Sequence, residues 1–183
     1  MIGETASAWV ARWAAGVPSD SCVLDLACGG GRHSRLFAAR GCKVTAVDRD
    51  SAAAQALPGA QNIQFIAADL ETGAWPLGDA SFDVIVVTNY LHRPLFPALE
   101  AALAPGGLLI YETFAAGNAA FGKPGNPDYL LQPRELMDVF GAVLKVLAFE
   151  DGFTAQPKPA MVQRIAARRA EPRTVLPAEA CGL

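Results

Sequence analysis

The chain has 183 residues, 52% of them hydrophobic, which is enough for one domain with a buried core. Its formal net charge of −3 argues against a protein that coats nucleic acid, because that function needs many lysines and arginines to displace counterions. Its four cysteines form no Cys-x-x-Cys pair and it has two histidines, so we expect no metal site.

The N-terminal residues predict a helix over 3–16. Trp9, Val10 and Trp13 recur at helical spacing, and a glycine and a proline follow. The segment lacks the basic stretch of a signal peptide and the long apolar stretch of a membrane span, so we expect no membrane association. The two tryptophans favour core packing over a second role as a wall of a substrate site.

Seven short apolar runs predict β-strands that alternate with helices. Near-continuous β-branched runs are typical of parallel strands buried on both faces. The last two runs are separated only by residues 151–160, so we expect them to pair antiparallel. The strands are predicted at 22–26, 43–47, 63–67, 82–88, 107–114, 142–150 and 161–169, and the helices at 32–41, 50–57 and 93–107.

These elements indicate a single α/β domain over residues 1–170 with a loose tail at 171–183. Cys22 and Cys42 fall within apolar strands and are expected to be buried thiols. Free thiols suit a reducing compartment, so we expect a cytoplasmic protein.

A glycine turn, Gly29–Gly31, follows the first strand and precedes a helix. Glycines there let a ligand approach the main chain, which suits either a dinucleotide or S-adenosylmethionine. A dinucleotide turn prefers a further glycine where this chain has Ser34. Asp25 lies just before the turn, where a carboxylate repels a pyrophosphate and attracts a sulfonium or an ammonium group.

Two more acids end the next two strands. Asp48 ends the second strand, where a carboxylate can accept hydrogen bonds from both ribose hydroxyls, and Asp69 ends the third. A lone aspartate at a strand end is more often a helix cap or a loop residue. Three of them beside a glycine turn favour S-adenosylmethionine.

The order of the motifs "VLDLACGGG", "VDRD", "AADL", "FDVIVV" and "LAPGGLLIYE" resembles the class I S-adenosylmethionine-dependent methyltransferases over residues of about 20–167. The resemblance implies a doubly wound, Rossmann-like α/β/α fold whose seven strands are ordered 3-2-1-4-5-7-6, with strand 7 antiparallel. The "CGGGRHS" turn is similar to the tellurite-resistance-type and related small-molecule branch. The fourth strand ends in "TNYLHR" instead of Asn-Pro-Pro-Tyr, so methylation of nucleic-acid bases is not expected.

The resemblance also implies a cofactor site. Asp48 holds the ribose, Asp69 holds the adenine amino group, and the glycine turn holds the methionine end of S-adenosylmethionine. The predicted cofactor residues are Asp25, Ala27, Cys28, Gly29, Gly31, Asp48, Arg49, Ala68, Asp69, Leu70 and Asn89.

Methyl transfer requires alignment and needs no nucleophilic residue of the protein. A base helps only if the acceptor loses a proton, and His92 is the candidate because histidine commonly transfers protons near neutral pH. Its alternative is a histidine at the start of a helix that faces solvent or bonds to the backbone. The long segment 115–133 predicts a loop over the substrate. The predicted acceptor-side residues are His33, Tyr90, His92, Glu112, Tyr129 and Arg134.

Two of these predictions have plain structural alternatives. His33 could belong to a solvated first helical turn, and the arginines of "QRIAARRAEPR" are expected on a solvated strand face rather than in a patch for RNA. Two other functions also stay open: an NAD(P)-dependent oxidoreductase, and a non-catalytic cofactor-binding partner protein. The leading prediction is a methyltransferase that acts on a small molecule, as a monomer or homodimer.

Overall fold

A mixed sheet of seven strands forms the middle layer in a computed structural model of the protein, which describes residues 5–50, 57 and 61–171. The sheet order is β3-β2-β1-β4-β5-β7-β6. All neighbours pair parallel except β7, which runs antiparallel to β5 and β6. This confirms the expected topology. The strands are β1 (Cys22–Leu26), β2 (Lys43–Asp48), β3 (Ile63–Ala67), β4 (Phe82–Thr88), β5 (Leu103–Phe114), β6 (Lys145–Thr154) and β7 (Ala160–Arg168).

Helices cover both faces of the sheet. They are α1 (Ala8–Ala14), α2 (Arg32–Ala38), α3 (Phe96–Ala102) and α4 (Glu135–Phe140). Trp9 of α1 and Phe37 of α2 pack against one face of the sheet, and Leu99 of α3 and Phe140 of α4 pack against the other. Burying both faces explains why the strands are near-continuous apolar runs. Within the described residues, no helix is long and apolar enough to cross a bilayer.

The first helix is shorter than predicted. Ser7 caps it by accepting the N–H of Trp9 on its hydroxyl oxygen, so α1 begins at Ala8 and not near residue 3. It ends at Ala14, just before Gly16 and Pro18. Residues 3 and 4 of the predicted helix lie outside the described residues. Trp9 is 5% exposed, which agrees with the core-packing interpretation.

The helix predicted at 93–107 ends earlier. A 3-10 turn at Arg93–Leu95 leads into α3, and β5 already begins at Leu103. Leu103 pairs with Phe82 and Leu108 pairs with Val84. The register shift between these pairs accommodates Pro105–Gly107, which were expected to end the helix. The predicted helix was too long because Pro105–Gly107 were expected only to end a helix and not to lie within a strand.

The last hairpin is also shifted relative to its prediction. Turn bonds from Val143 and Leu144 to the carbonyl of Phe140 delay β6 until Lys145, and the strand continues to Thr154. The antiparallel pairing with β7 is confirmed. The predicted helix 50–57 and the tail 171–183 lie almost entirely outside the described residues.

The cysteines divide between interior and surface. Cys42 is buried as predicted, and so is Cys28. The prediction was wrong for Cys22, which is exposed because it is the first residue of β1 and its side chain escapes the helical cover.

Candidate active site

A cavity of about 270 Å³ opens where the carboxyl ends of β1 to β4 meet. Open α/β sheets bind ligands at this edge. The cavity collects every predicted cofactor residue except Asp25, Cys28, Gly29 and Gly31, and it also contains Glu71, which the sequence analysis missed although it follows Asp69 within "AADLE". The lining consists of Ala27, Asp48, Arg49, Ala68, Asp69, Leu70, Glu71, Asn89 and Tyr90.

The glycine turn beside the cavity has one open face. A Cβ added at Gly29 or Gly30 would meet no atom within 4 Å, so a ligand can approach the main chain there. Gly29 has φ +52° and Gly31 has φ +69°, a region that favours glycine. A Cβ at Gly31 would instead run into the side chain of Leu57. The first two glycines therefore leave room, whereas the third permits packing.

Asp48 connects the turn to the tip of β2. Its Oδ2 accepts the N–H of Gly29 at 2.8 Å, and its Oδ1 accepts the N–H of Asp50 at 3.0 Å. A carboxylate oxygen can accept more than one hydrogen bond, so both oxygens retain capacity for ligand hydroxyls. The carboxylate thus both fixes the turn and faces the cavity.

Asp69 is exposed at the tip of β3. Its Oδ1 accepts the N–H of Glu71 at 2.9 Å. This bond, followed by one from the Thr72 hydroxyl, lowers the pKa of Asp69 below its ordinary value. The carboxylate is therefore ionised at neutral pH and able to accept a hydrogen bond from an amino group.

Asp25 lies beneath the turn rather than in the cavity. It is 1% exposed, and its Oδ2 accepts the Ser34 hydroxyl at 2.5 Å. Burial raises the pKa of Asp25 from 3.8 to about 7. Ser34, at the position where a dinucleotide turn would have glycine, therefore joins α2 to β1.

Two residues in left-handed backbone conformation flank the cavity. Ala27 has φ +53° and Asn89 has φ +54°, and the N–H of Asn89 donates to the carbonyl of Glu112 at 2.9 Å. Such strain persists where the surrounding structure enforces it, often at functional sites. The next residue, Tyr90, has a buried hydroxyl without a partner among the described residues, and burial raises its pKa to about 12.

His33 is buried, so the alternative of a solvated helical turn was wrong. Its Nε2 accepts the N–H of Ser7 at 3.1 Å, and its Nδ1 lies 3.3 Å from the Thr88 hydroxyl oxygen. Burial, with a smaller effect of Arg32, lowers the pKa of His33 to about 3. The imidazole is neutral and joins the start of α1 to the end of β4.

Glu112 and Arg164 form an ion pair across β5 and β7. The Arg164 Nε lies 2.5 Å from Glu112 Oε2, and Arg164 Nη1 lies 3.0 Å from Glu150 Oε2 on β6. The side chains of Glu112 and Arg164 are 10% and 18% exposed. The expectation that Arg164 lies on a solvated strand face was therefore wrong, because its cross-strand partners are carboxylates.

Five of the six predicted acceptor-side residues do not line the cavity: besides the buried His33 and Glu112, these are His92, Tyr129 and Arg134. His92 is half-buried, and its carbonyl accepts the N–H of Leu95 at the start of the 3-10 turn. Tyr129 is 51% exposed. Arg134 is exposed, and its backbone N–H donates to Asp151. Their roles stay predictions.

The predicted substrate segment, 115–133, is fastened to the sheet. Asn118, which is 2% exposed, donates to the carbonyl of Pro124 and accepts the N–H of Met161. Gln163 of β7 donates to the carbonyl of Gln132. The segment is therefore anchored at the carboxyl end of β5, although most of its residues are exposed.

Arg93 provides a further attachment. It contacts both carboxylate oxygens of Glu135, at 2.6 and 2.9 Å, and donates to the carbonyls of Asp128 and Leu130. A groove of about 460 Å³ opens beside this ion pair, lined by Arg93, Pro127, Asp128, Gln132, Pro133, Glu135, Asp138 and Val139.

Comparison with known proteins matches residues 23–107 to a family described as methyltransferase domain. A trans-aconitate 2-methyltransferase from Paracidovorax citrulli is 39% identical over 98 residues, covering 48% of this chain and 36% of that protein. A malonyl-[acyl-carrier protein] O-methyltransferase from Pseudescherichia vulneris is 35% identical over 103 residues, covering 52% of this chain and 40% of that protein.

The solved structure of TehB from Haemophilus influenzae superposes with a TM-score of 0.75 at 18% identity, covering 90% of this chain and 62% of that chain. At this identity the likeness concerns the fold. The chain spans less than half the length of the two curated relatives. The family match over residues 23–107 includes the glycine turn, Asp48 and Asp69.

Proposed function

We propose, since the chain belongs to the class I S-adenosylmethionine-dependent methyltransferase superfamily, that it transfers a methyl group from S-adenosylmethionine to a small-molecule acceptor. The observation that carries this proposal is the cavity at the carboxyl ends of β1 to β4, with Asp48 and the open glycine turn beside it. Buried thiols at Cys28 and Cys42 agree with a reducing, cytoplasmic setting.

The residues present fit the cofactor. The open face of Gly29 and Gly30 admits a ligand against the main chain, and Asp48 has acceptor capacity for ribose hydroxyls. Asp69 is ionised and can accept from an adenine amino group. When bound, S-adenosylmethionine supplies an electrophilic methyl group, which an acceptor atom takes up by displacement as the carbon–sulfur bond breaks.

The contribution of the protein would then be alignment, which can supply roughly 7–11 kcal/mol of the barrier. Asp48 fixes the glycine turn, and Ser34 fixes the helix that follows it, so both hold the ligand-facing main chain in place. The name of one curated relative specifies trans-aconitate, a small molecule, which supports a small-molecule acceptor.

The competing oxidoreductase function predicts nicotinamide binding. Against it, Ser34 occupies the position of a dinucleotide-turn glycine, and its hydroxyl is committed to Asp25. A pyrophosphate in the cavity would also lie near the two carboxylates of Asp48 and Asp69.

The test compares S-adenosylhomocysteine with NADH by calorimetry and thermal shift. We expect saturable binding of S-adenosylhomocysteine and a Tm rise of several degrees, since ligand at 100 times its Kd stabilises by about 2.7 kcal/mol. Stabilisation by NADH alone would reverse the assignment. If S-adenosylhomocysteine binds but the protein forms none of it from S-adenosylmethionine with any acceptor tried, a non-catalytic partner protein is favoured.

A further inference from the structure

Thr88 and Glu112 lie side by side at the carboxyl ends of β4 and β5. They are direct partners in the parallel register, so their side chains point to the same face of the sheet. His33 on α2 contacts Thr88, which places both side chains on the face covered by α1 and α2. Thr88 is 9% exposed and Glu112 is 7% exposed. Two polar side chains thus lie next to each other, and both are largely shielded from solvent.

His33 determines the direction of the Thr88 hydroxyl. Because Nε2 accepts the N–H of Ser7, the single proton of the neutral imidazole is on Nδ1. Nδ1 therefore donates to the oxygen of Thr88, and the hydroxyl proton of Thr88 must point elsewhere. Among the described residues no acceptor receives it. The Thr88 hydroxyl is a directed and uncommitted donor.

Glu112 provides the complementary acceptor. Its Oε2 is taken by Arg164, which Glu150 holds from the other side, so the carboxylate cannot turn freely. Its Oε1 has no hydrogen-bond partner among the described residues. Because Oε1 accepts no hydrogen bond from the described residues and is not among the fully buried atoms, it is available to a ligand that supplies a donor.

We propose that Thr88 and Glu112 form the site that binds a hydroxyl group of the methyl acceptor. The Thr88 hydroxyl donates a hydrogen bond to the acceptor's oxygen, and Glu112 Oε1 accepts a hydrogen bond from the acceptor's hydroxyl group. This proposal rests on the proposed methyltransferase function and names the acceptor class. A hydroxyl fits because the pair requires one group that both accepts and donates: a carboxylate would be repelled by Glu112, an ether could not donate, and an ammonium could not accept.

The position of the pair agrees with this role. Asn89, directly after Thr88, lines the cavity, and its N–H is bonded to the carbonyl of Glu112. β4 is also the strand next to β1, from which the glycine turn emerges. The pair therefore lies one strand beyond the main chain to which we assign the methionine end of the cofactor.

The test uses phenol as the hydroxyl probe and anisole, its methyl ether, as the matched probe without a donor. Binding of each to the protein saturated with S-adenosylhomocysteine is measured by saturation-transfer NMR titration. We expect phenol to bind about tenfold more tightly than anisole, because only phenol can satisfy Glu112. Equal affinities, or no binding of either probe, would overturn the proposal.

Three variants assign the preference to the pair. Thr88→Val keeps the branched shape but lacks the hydroxyl, so we expect phenol binding to weaken several-fold and its advantage over anisole to shrink. Thr88→Ser returns the hydroxyl and should restore the preference for phenol over anisole. Thr113→Val removes a buried hydroxyl from the opposite face of β5 and should leave the preference unchanged. A wild-type preference in Thr88→Val would contradict the proposal.

Calorimetry with S-adenosylhomocysteine distinguishes failure of the proposed function from failure of the acceptor site. If the wild type does not bind it, the proposed function fails. If the wild type binds it but Thr88→Val loses tenfold or more of that affinity, the hydroxyl serves the amino-acid end of the cofactor. That second result would overturn the acceptor site while leaving the methyltransferase function standing.

Discussion

The tips of β2 and β3 and the ends of β4 and β5 belong to one edge of one sheet but are built differently. At β2 and β3, Asp48 and Asp69 are bonded by backbone N–H groups and face the cavity or solvent. At β4 and β5, Thr88 and Glu112 are buried and are held by side chains from distant parts of the chain. The first half offers accessible charge, and the second offers a few directed polar atoms.

This contrast suggests a division of labour. Charges beside water suit a cofactor that many enzymes share, because a carboxylate and a main-chain turn recognise ribose and amino acid without further construction. Buried and directed groups discriminate more sharply, since a wrong partner leaves them unsatisfied. Three sets of variants can break or sharpen this comparison.

The largest effect is expected for Asp48→Asn. The amide keeps the shape but replaces one acceptor with a donor, so charge-assisted bonds worth about 1.5–3 kcal/mol are lost. Affinity for S-adenosylhomocysteine, measured by calorimetry, should fall by about ten- to a hundredfold. Asp83→Asn is the control, because Asp83 also accepts a backbone N–H, that of Cys22, but at the opposite end of the sheet. An unchanged Kd in Asp48→Asn would remove Asp48 from the site.

The next effect separates the two uses of glycine in the turn. Gly30 is not in the left-handed region and faces open space, so Gly30→Ala should fold normally but weaken S-adenosylhomocysteine binding about tenfold by narrowing the ligand face. Gly31→Ala meets Leu57 and a left-handed backbone, which costs about 1–2 kcal/mol. Its Tm should fall by several degrees. Equal melting temperatures in the two variants would contradict this assignment.

The smallest effect concerns pH. Burial raises the pKa of Asp25 to about 7, so between pH 7 and 3.8 the folded state holds more protons there and Asp25 adds stability as the pH falls. Burial lowers the pKa of His33 to about 3, so between pH 6.5 and 3 the unfolded state holds more protons and His33 removes stability as the pH falls. Each slope is at most about 1.4 kcal/mol per pH unit, and the two oppose each other.

Single variants should expose each slope. As the pH falls from 6.5 to 5, the free energy of unfolding of His33→Gln should rise relative to that of the wild type, because Gln can bond both Ser7 and Thr88 without titrating. Asp25→Asn should lose stability over the same range. Urea unfolding at several pH values measures both. Slopes of the same sign in the two variants would show that these groups do not titrate as the buried setting requires.

The positions of the strands could be predicted from sequence because each strand is a local apolar run, and the antiparallel last pair follows from a short connection. The order of the strands was implied by the resemblance to the class I methyltransferases. The residues that line the cavity could also be predicted, since Asp48, Asp69 and Asn89 directly follow or end strands that share an edge. Both inferences use contacts between neighbours in sequence or the common direction of parallel strands.

The buried pairs could not be predicted in this way. Arg164 follows Glu112 by 52 residues, and Thr88 follows His33 by 55, so nothing local in the sequence marks them as partners. His33 at the start of a helix looks solvated until Ser7 and β4 are placed over it. The ends of some helices and strands were predicted wrongly for a similar reason. Pro105–Gly107 have the composition of a helix end, but a bulge opposite β4 places them within β5.

The attachment of segment 115–133 has a consequence for engineering. The side chains of Asn118, Gln163 and Arg93 bond to backbone carbonyls and to one backbone N–H group. These bonds do not depend on the side chains of residues 119–127. The intervening residues can therefore be exchanged without rebuilding the sheet. A chimera that retains the three anchors and grafts residues 119–127 from a relative would change the exposed part of this segment, which we predict to cover the substrate, while leaving the sheet intact.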